Sequence, residues 1–411
     1  MVQKMRKMKD SGIEWIGEIP EGWKTQKLKY YATVTSGEIL SRDEYDFSGD
    51  IPVIGSNGRI GTTYKSNNHS EVITTGRVGT IGTAQIVQDA WITDNALIIK
   101  SHSINRPFLT YVIPNFDFKF MLSGTAQPLI TATKLKNQYI PVPSSEVQDK
   151  LVQYLNTQIF NLSHLISQAC SSIELYKKLK QVVITQAVTK GVRGEREMKD
   201  SGVEWIGEIP KEWVIQKIKS ISSRINVGVV IRPSEYFDEN GTVPFLRGIN
   251  VKEYLISSDN MVYINESSNH ILSKSQVHTD DILIVRDGSI GTSCVVPAEY
   301  DGANVVSMVI VTPSTSCDSR FICYSLNSDV GKTQFTLTKI GSALTHTSVS
   351  AVSDIIVAVP SCAEQKEIAD YLDAKCAEID GLIAKKEQLV KELESYKKSL
   401  IYEVVTGKRE V

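Results

Sequence analysis

Metal-binding and disulfide chemistry have little to work with in this sequence. Its six cysteines, Cys170, Cys294, Cys317, Cys323, Cys362 and Cys376, form no Cys-x-x-Cys pair, and none precedes Cys170. That leaves no basis for a disulfide framework or a zinc knuckle, and a reducing cytoplasm is the expected compartment. The six histidines (His69, His102, His164, His270, His278, His346) stand singly, without a His-x-x-x-His step, so zinc hydrolysis lacks its ligands. Apolar runs such as Asp354-Ile-Ile-Val-Ala-Val-Pro360 fall far short of the roughly 20 residues that span a bilayer. The basic start MVQKMRKMKD leads into no apolar segment, so neither a signal peptide nor a membrane span is expected.

Charge of one sign is also lacking. The 411 residues carry a net charge of -2, too little to coat nucleic acid nonspecifically. Its distribution is uneven: residues 1–143 sum to +3, 144–197 to +2, 198–360 to -5 and 361–411 to -2. Any DNA contact must therefore rely on local cations or on a partner's field.

Catalytic signatures are missing as well. Gly76-Arg-Val-Gly-Thr-Ile-Gly82 has the spacing G-x-x-G-x-x-G, and Gly331-Lys-Thr333 lacks a glycine five residues before it, so neither is a phosphate-binding Walker loop. No Asn/Asp-Pro-Pro-aromatic run of an amino-methyltransferase is present. Asp354 with Glu364-Gln-Lys366 superficially resembles a metal-dependent nuclease site. A related segment, Val147-Gln148-Asp149, lacks those groups while still entering a helix, which favours capping.

What the chain does contain is a long repeat. Met8 to Trp23 and Met198 to Trp213 agree at 13 of 16 positions, at an offset of 190. Solenoid repeats are about 20 to 50 residues, so this period marks a duplicated domain. Matches continue at growing offsets: Ile51-Pro-Val-Ile with Val243-Pro-Phe-Leu, Ile81-Gly-Thr83 with Ile290-Gly-Thr292, Gly124-Thr-Ala126 with Gly341-Ser-Ala343, and Val142-Pro143-Ser144 with Val359-Pro360-Ser361. The second copy has gained 27 residues across this stretch, the behaviour of one scaffold with differing loops.

Within each copy, β-branched runs such as Glu71-Val-Ile-Thr-Thr, Ala96-Leu-Ile-Ile-Lys, Asp281-Ile-Leu-Ile-Val and Val305 to Val311 are divided by turn residues, and read as strands. Pro107–Ile113 and Phe321–Asn327 read as short helices. Each copy is therefore sheet-rich α+β. Four of the five tryptophans (Trp15, Trp23, Trp205 and Trp213, with Trp91 the fifth) lie in the repeated signature and suit packing better than base stacking.

Each copy ends in a helix entered through a Ser-x-x-Gln/Glu box, Ser145 to Gln148 and Ser361 to Glu364. Val152, Leu155, Ile159, Leu162, Ile166, Ala169, Ile173, Tyr176 and Val183 then recur at steps of three and four. Ala369, Leu372, Cys376, Ile379, Ile383, Lys386, Val390, Leu393 and Leu400 do so at an offset of 217. Both are coiled-coil seams. Lys180 and Lys397 share one seam position: an antiparallel pair keeps the ammonium groups apart, and snorkelling at a frayed end would do the same.

Polar loops supply the candidate DNA contacts. Asn57, Arg59, Thr62, Thr63 and Lys65 follow a strand, as do Arg247, Asn250 and Lys252 in the second copy. Arg77, and Arg286 with Ser289, adjoin the shared Ile-Gly-Thr, while Gln127, Thr345 and His346 lie in corresponding later loops. Asn and Arg suit bidentate contacts to base edges; hydroxyls and Lys suit phosphate.

The repeated Trp-Ile-Gly-Glu-Ile-Pro-x-x-Trp, the Gly-Thr-Ala-Gln-Pro-Leu-Ile of residues 124–130 and the Ile-Pro-Val-Pro-x-x-x-x-Gln helix entry together resemble the specificity subunit of type I restriction-modification systems. The resemblance covers nearly the whole chain. It departs at Gly341-Ser-Ala-Leu-Thr-His-Thr, where the family tends to Gly-x-x-Gln-x-x-Ile/Leu. It implies a chain without catalysis of its own: target-recognition domains at 1–143 and 191–360, and spacer helices at 144–190 and 361–407. The helices would pair as an antiparallel, pseudo-two-fold coiled coil that fixes the gap in a bipartite duplex DNA target. It also implies two modification subunits that use S-adenosylmethionine to methylate adenine, and restriction subunits that use ATP and Mg2+. The competing classes are a freestanding nuclease or methyltransferase, and a coiled-coil protein scaffold.

Overall fold

The computed structural model describes residues 6–46, 48–118, 121–122, 129–339 and 346–411. The chain divides into two compact units, Met1–Cys170 with Gln388–Val411, and Ser171–Glu387.

In the first unit a four-stranded antiparallel sheet runs in the order Ala32–Ser36, Ala96–Ser101, Val72–Gly76, Ala84–Val87. Beside it Ile51–Gly55 pairs antiparallel with Gly58–Thr63 and parallel with Trp91–Ile92. The second unit repeats both sheets. Ser222–Val227, Met308–Pro313, Ile282–Val285 and Ser293–Val295 form the four-stranded one. Val243–Leu246 pairs antiparallel with Val262–Ile264 and parallel with Asn304–Val305. Ile282 to Val285 are all buried, as a continuous apolar run covered on both faces should be. The expected strands and both short helices form, the latter as Arg106–Val112 and Ser319–Asn327. A further helix, Asp329–Lys339, was not evident in the sequence.

The repeated signature folds identically in each unit. Met8–Asp10 pairs with Glu18–Pro20, and Met198–Asp200 with Glu208–Pro210. Trp23 and Trp213 are buried beneath Arg6 and Arg196, whose guanidinium carbons lie 5.6 and 5.3 Å from the ring centres. They act as packing anchors, each capped by a cation over the ring face.

Two helices, Ser145–Lys190 and Cys362–Val405, are 46 and 44 residues long. In the first unit Leu151, Val152, Leu155 and Leu162 share a core with Leu400, Val404 and Val405. In the second, Ile184, Ala187 and Val188 share one with Ile368, Ala369, Leu372 and Cys376. Each unit thus sets the early turns of one helix against the late turns of the other, so the pairing is antiparallel. Burial at Leu155, Leu162, Ala169 and Ile173, and at Ala369, Leu372, Cys376 and Ile379, follows the expected seam.

The helix entries correct the capping-box assignment. Ser145 already lies inside the first helix, and it is the Ser144 carbonyl that accepts the Gln148 amide, at 2.9 Å. The Gln148 side chain instead bridges two segments: Oε1 accepts from the Asn105 amide (2.8 Å) and Nε2 donates to the Pro143 carbonyl (2.9 Å). Gln365 does the same with the Asp318 amide (2.9 Å) and the Pro360 carbonyl (3.0 Å). The true equivalents at the 217 offset are therefore Ser144 with Ser361 and Gln148 with Gln365. Ser361 does cap, accepting the Glu364 amide at 3.4 Å, but the Glu364 carboxylate turns to Arg196 at 2.6 Å.

Candidate nucleic-acid interface

In each unit several loops meet at one end of the sheets, and the same backbone device builds that end twice. Strand Val72–Gly76 ends at Arg77, whose amide donates to the Asn95 carbonyl (2.9 Å) and whose own carbonyl accepts from Ile130 (2.9 Å). In the second unit strand Ile282–Val285 ends at Arg286, whose carbonyl accepts from Thr347 (3.1 Å). Both side chains are half-buried and steered by carbonyls, Arg77 by Asp94 O (3.3 Å) and Arg286 by Thr347 O (3.0 Å).

The following turns match as well. Gly82 and Gly291 both have φ of +87°, and a Cβ there would lie 2.7 Å from the Phe118 ring or 2.4 Å from the Phe335 ring. Left-handed backbone and an aromatic floor together require glycine. In the first unit the turn also touches the hairpin tip, where the Thr83 hydroxyl donates to Ser56 O at 3.3 Å.

Around this shared frame the candidate residues fall into three groups. Asn57 and Arg59 are exposed on the hairpin, as are Lys252 and Ser289 in the second unit. Others are occupied within the protein. The Thr62 and Thr63 hydroxyls are buried and donate to Asp46 O (2.5 Å) and Glu44 O (2.8 Å). Asn250 is 0% exposed and braces its loop through Arg247 N (3.1 Å), Ser257 O (3.1 Å) and Asp259 O (2.9 Å). Arg247 donates to the Asn260 carbonyl. Lys65 pairs with Glu44, whose carboxyl is pulled down to about 2 by that ammonium and by Ser41. His346 is half-buried, while Gln127 and Thr345 lie outside the described residues, as do Gly124-Thr-Ala126 and Gly341-Ser-Ala343.

The residues that suggest a nuclease have other duties. Asp354 is held by Lys219 and Lys217, both at 3.0 Å, and these lysines keep its carboxyl below the usual range. Glu364 is committed to Arg196. Among the described residues no three His, Cys, Asp or Glu side chains converge as a metal cage, and no helix is long and apolar enough to cross a membrane.

One element of the second unit has no counterpart in the sequence patterns. Hairpin Val251–Lys252 with Leu255–Ile256 turns through Tyr254, a non-glycine residue at φ +68°. Its ring lies 4.8 Å from that of Tyr324 and 5.5 Å from the Lys180 ammonium on the first long helix. The arm bearing Lys252 is thereby strapped to that helix. Burial and nearby Cys323 and Glu253 push the Tyr254 hydroxyl's ionisation upward.

Sequence relatives match along much of the chain. The type I enzyme MjaVIII specificity subunit of Methanocaldococcus jannaschii is 25% identical over 323 residues, 77% of this chain and 71% of that one. The MjaX subunit of the same organism, whose name is provisional, is 26% identical over 96% of this chain and 95% of its own. The EcoKI specificity subunit of Escherichia coli K12 is 22% identical over about half of each chain (49% and 44%). Among solved structures, a chain from work on complex assembly and conformational transition of the type I R-M system superposes with a TM-score of 0.72. That match is at 14% identity and covers 95% of this chain and 99% of the other. The HsdS subunit of Thermoanaerobacter tengcongensis gives a TM-score of 0.50 at 15% identity, over 95% and 98%. The family model for the type I restriction modification DNA specificity domain matches twice, at residues 20–174 and 210–392. With two copies of that domain spanning most of its length, the chain belongs to the type I restriction-modification specificity subunits, the non-catalytic component that recognises the DNA target.

Proposed function

We propose that each unit reads one half of a bipartite duplex target, with recognition domains at 1–143 and 191–360, and that the two long helices set the gap between the halves. The observation that carries this reading is the contrast within each sheet end: the arginine turn, its glycines and its aromatic floor are duplicated, whereas the exposed hairpins differ. Shared elements suit phosphate and positioning contacts, and unlike elements suit unlike sequences. Antiparallel helices of 46 and 44 residues at about 1.5 Å per residue are long enough to span about two turns of duplex.

The chemistry belongs to partners. Two modification subunits would bring S-adenosylmethionine to adenine, and restriction subunits would bring ATP and Mg2+, all in the cytoplasm. Exposed apolar residues on the first long helix, Leu175, Leu179 and Val182, lie on one helical face and suit a partner surface. Methylome sequencing of a host carrying the chain with its modification subunit tests the reading. A bipartite motif with a constant gap is expected, and scattered or single-block methylation would overturn it. Removing one heptad from both helices should shorten the gap, and an unchanged gap would rule out the ruler.

A further inference from the structure

Each unit sets a pair of lysines against the end of a short helix, and the two copies differ in what meets them. In the second unit Lys217 and Lys219 both donate to Asp354 Oδ1, at 3.0 Å. Their counterparts at the 190 offset are Lys27 and Lys29, and the counterpart of Asp354 at the 217 offset is Asn137. The backbone fixes both correspondences. Tyr139 stands opposite Lys27 where Lys24–Lys27 pairs with Tyr139–Val142, as Ile356 stands opposite Lys217 where Val214–Lys217 pairs with Ile356–Val359. The Leu28 amide donates to Gln138 O and the Ile218 amide to Ile355 O, each at 2.8 Å. Asn137 closes helix Ala132–Lys136 at φ -89° and ψ -1°, and Asp354 closes Val349–Ser353 at φ -91° and ψ -1°.

In the first unit the carboxylate is gone. Asn137 turns its Nδ2 back to Thr133 O at 2.9 Å. Lys27 and Lys29 rest over the rings of Tyr139 and Tyr30, with ammonium groups 5.4 and 5.2 Å from the ring centres. A ring face attracts a cation without neutralising it. Among the described residues the salt bridges of the lysine pair are confined to the second unit. Lys29 and Tyr30 are exposed, so the first pair keeps its charge at the surface. The site lies one short helix from the edge assigned to DNA. Ile130, whose amide donates to Arg77 O, leads through the Thr131 cap and helix Ala132–Lys136 to Asn137; Thr347, on Arg286 O, leads the same way to Asp354. That path spans about 15 Å at most. Each strand of a duplex carries a phosphate about every 3.4 Å, so DNA engaged at Arg77 has several within reach of the pair.

We propose that Lys27 and Lys29 bind a backbone phosphate flanking the first half-site, and that Asp354 closes the equivalent site in the second unit. The proposal rests on the DNA-reading function above. The second unit supplies the geometry: ammonium groups from these two positions converge on one anionic oxygen. A phosphodiester presents such an oxygen with one negative charge, and so can take the place that the Asp354 carboxylate fills. Lysine meets it as a point charge, and the contact positions the duplex without reading bases. The clamp is one-sided. It agrees with a net charge of +3 over residues 1–143 against -5 over 198–360.

The test uses the complex of this chain with its modification subunits, on target duplexes in which single phosphates are replaced by uncharged methylphosphonate. One linkage beside the first half-site should matter, its replacement weakening wild-type binding about fivefold. Asn137→Asp should remove that sensitivity and flatten the salt dependence of binding by about 0.9, one phosphate contact. The ratio of cognate to unrelated binding should stay constant, because a phosphate contact does not discriminate. Asp354→Asn should do the reverse, steepening the salt dependence by about 0.9 and making a linkage beside the second half-site sensitive. Each substitution installs the residue that the other copy already carries at the same backbone angles, so both variants should fold, which circular dichroism checks. Lys27→Gln combined with Lys29→Gln should reproduce Asn137→Asp and add nothing to it. A complex that recognises its bipartite target but shows no linkage sensitive to Asn137→Asp overturns the clamp. So does calorimetry in which Asn137→Asp loses binding of inorganic phosphate while DNA binding is unaltered, since the pair then serves a free anion. A wild-type complex with no bipartite target sinks the underlying reading instead, which separates the two failures.

Discussion

Lys180 and Lys397 are the same residue in two settings. Lys180 donates to the Asp380 carboxylate at 2.6 and 2.8 Å, and Lys397 donates to the Ser163 hydroxyl at 3.0 Å. Going back 17 residues from Lys180 reaches Ser163, and going forward 17 from Asp380 reaches Lys397, so a single antiparallel register describes both contacts. Asp380 and Ser163 are themselves separated by the 217 residues of the duplication. Both ammonium groups find partners across the seam.

These settings should differ in energy. Lys180 also faces the Tyr254 ring and is only 17% exposed, while Asp380 is 54% exposed and its pairing is solvent-screened. Lys180→Met is expected to lower stability by about 1 kcal/mol and Lys397→Met by less. Thermal melting of the two variants checks the order, and equal losses would show that the ring contributes nothing.

Gln365 and Gln148 should prove costly to replace. Gln365→Leu leaves the Asp318 amide and the Pro360 carbonyl without their buried partner, at about 1–3 kcal/mol for each group. Gln365→Glu should recover little, since a carboxylate cannot donate to Pro360 O. Denaturant unfolding followed in the second unit measures both, and near-neutral behaviour of the leucine variant would refute the bridging role.

Gly291→Ala places a methyl 2.4 Å from the Phe335 ring on a backbone at φ +87°. Destabilisation of about 2–4 kcal/mol is expected, with Gly82→Ala somewhat milder because its contact is 2.7 Å. Phe335→Ala should relieve only the steric component of the Gly291→Ala loss. A double-mutant cycle by thermal melting reads that coupling, and strict additivity would show that the ring is not the obstacle.

Glu44 pairs with the Lys65 ammonium, which would otherwise be available to a phosphate. Glu44→Gln is expected to tighten DNA binding and to steepen its salt dependence by about 0.9, one further phosphate contact. Binding measured across a salt series decides this, and an unchanged slope would leave Lys65 outside the interface. The pH behaviour follows from the sign of the shift. Because the folded carboxyl titrates near 2 rather than 4.5, its stabilising contribution is present above 4.5 and lost as pH falls towards 2. Between pH 5 and 8 the clamp therefore stays closed in the wild type.

The frame was legible because duplication exposes it. The signature, the Ile-Gly-Thr turn and the seam recur in the same order, at offsets that grow from 190 to 217, and recurrence needs no knowledge of partners. The Ser-x-x-Gln/Glu box was misplaced because adjacent serines, Ser144 and Ser145, offer two registers, and only the Gln148 contact to Asn105 selects one. Asn250, Thr62 and Thr63 read as ligand contacts because an unspent hydrogen-bonding group and one spent inside a loop look alike in a sequence. Burial tells them apart. Helix Asp329–Lys339 was hidden by Gly331, which resembles a breaker but is needed because a Cβ there would lie 2.2 Å from the Leu326 carbonyl. The strap at Tyr254 depends on contacts distant in sequence and had no local sign.

The division of the chain sets an order of assembly during synthesis. The second unit is one uninterrupted stretch, Ser171–Glu387, whereas the first needs Leu400, Val404 and Val405 to close the core around Ile16 and Trp23. At about 5–20 residues per second, the wait from Cys170 to the last turns of the second long helix is about 10 to 45 seconds. The portion made first is thus the last to be completed. Until those last turns are made, the early portion presents an open apolar flank.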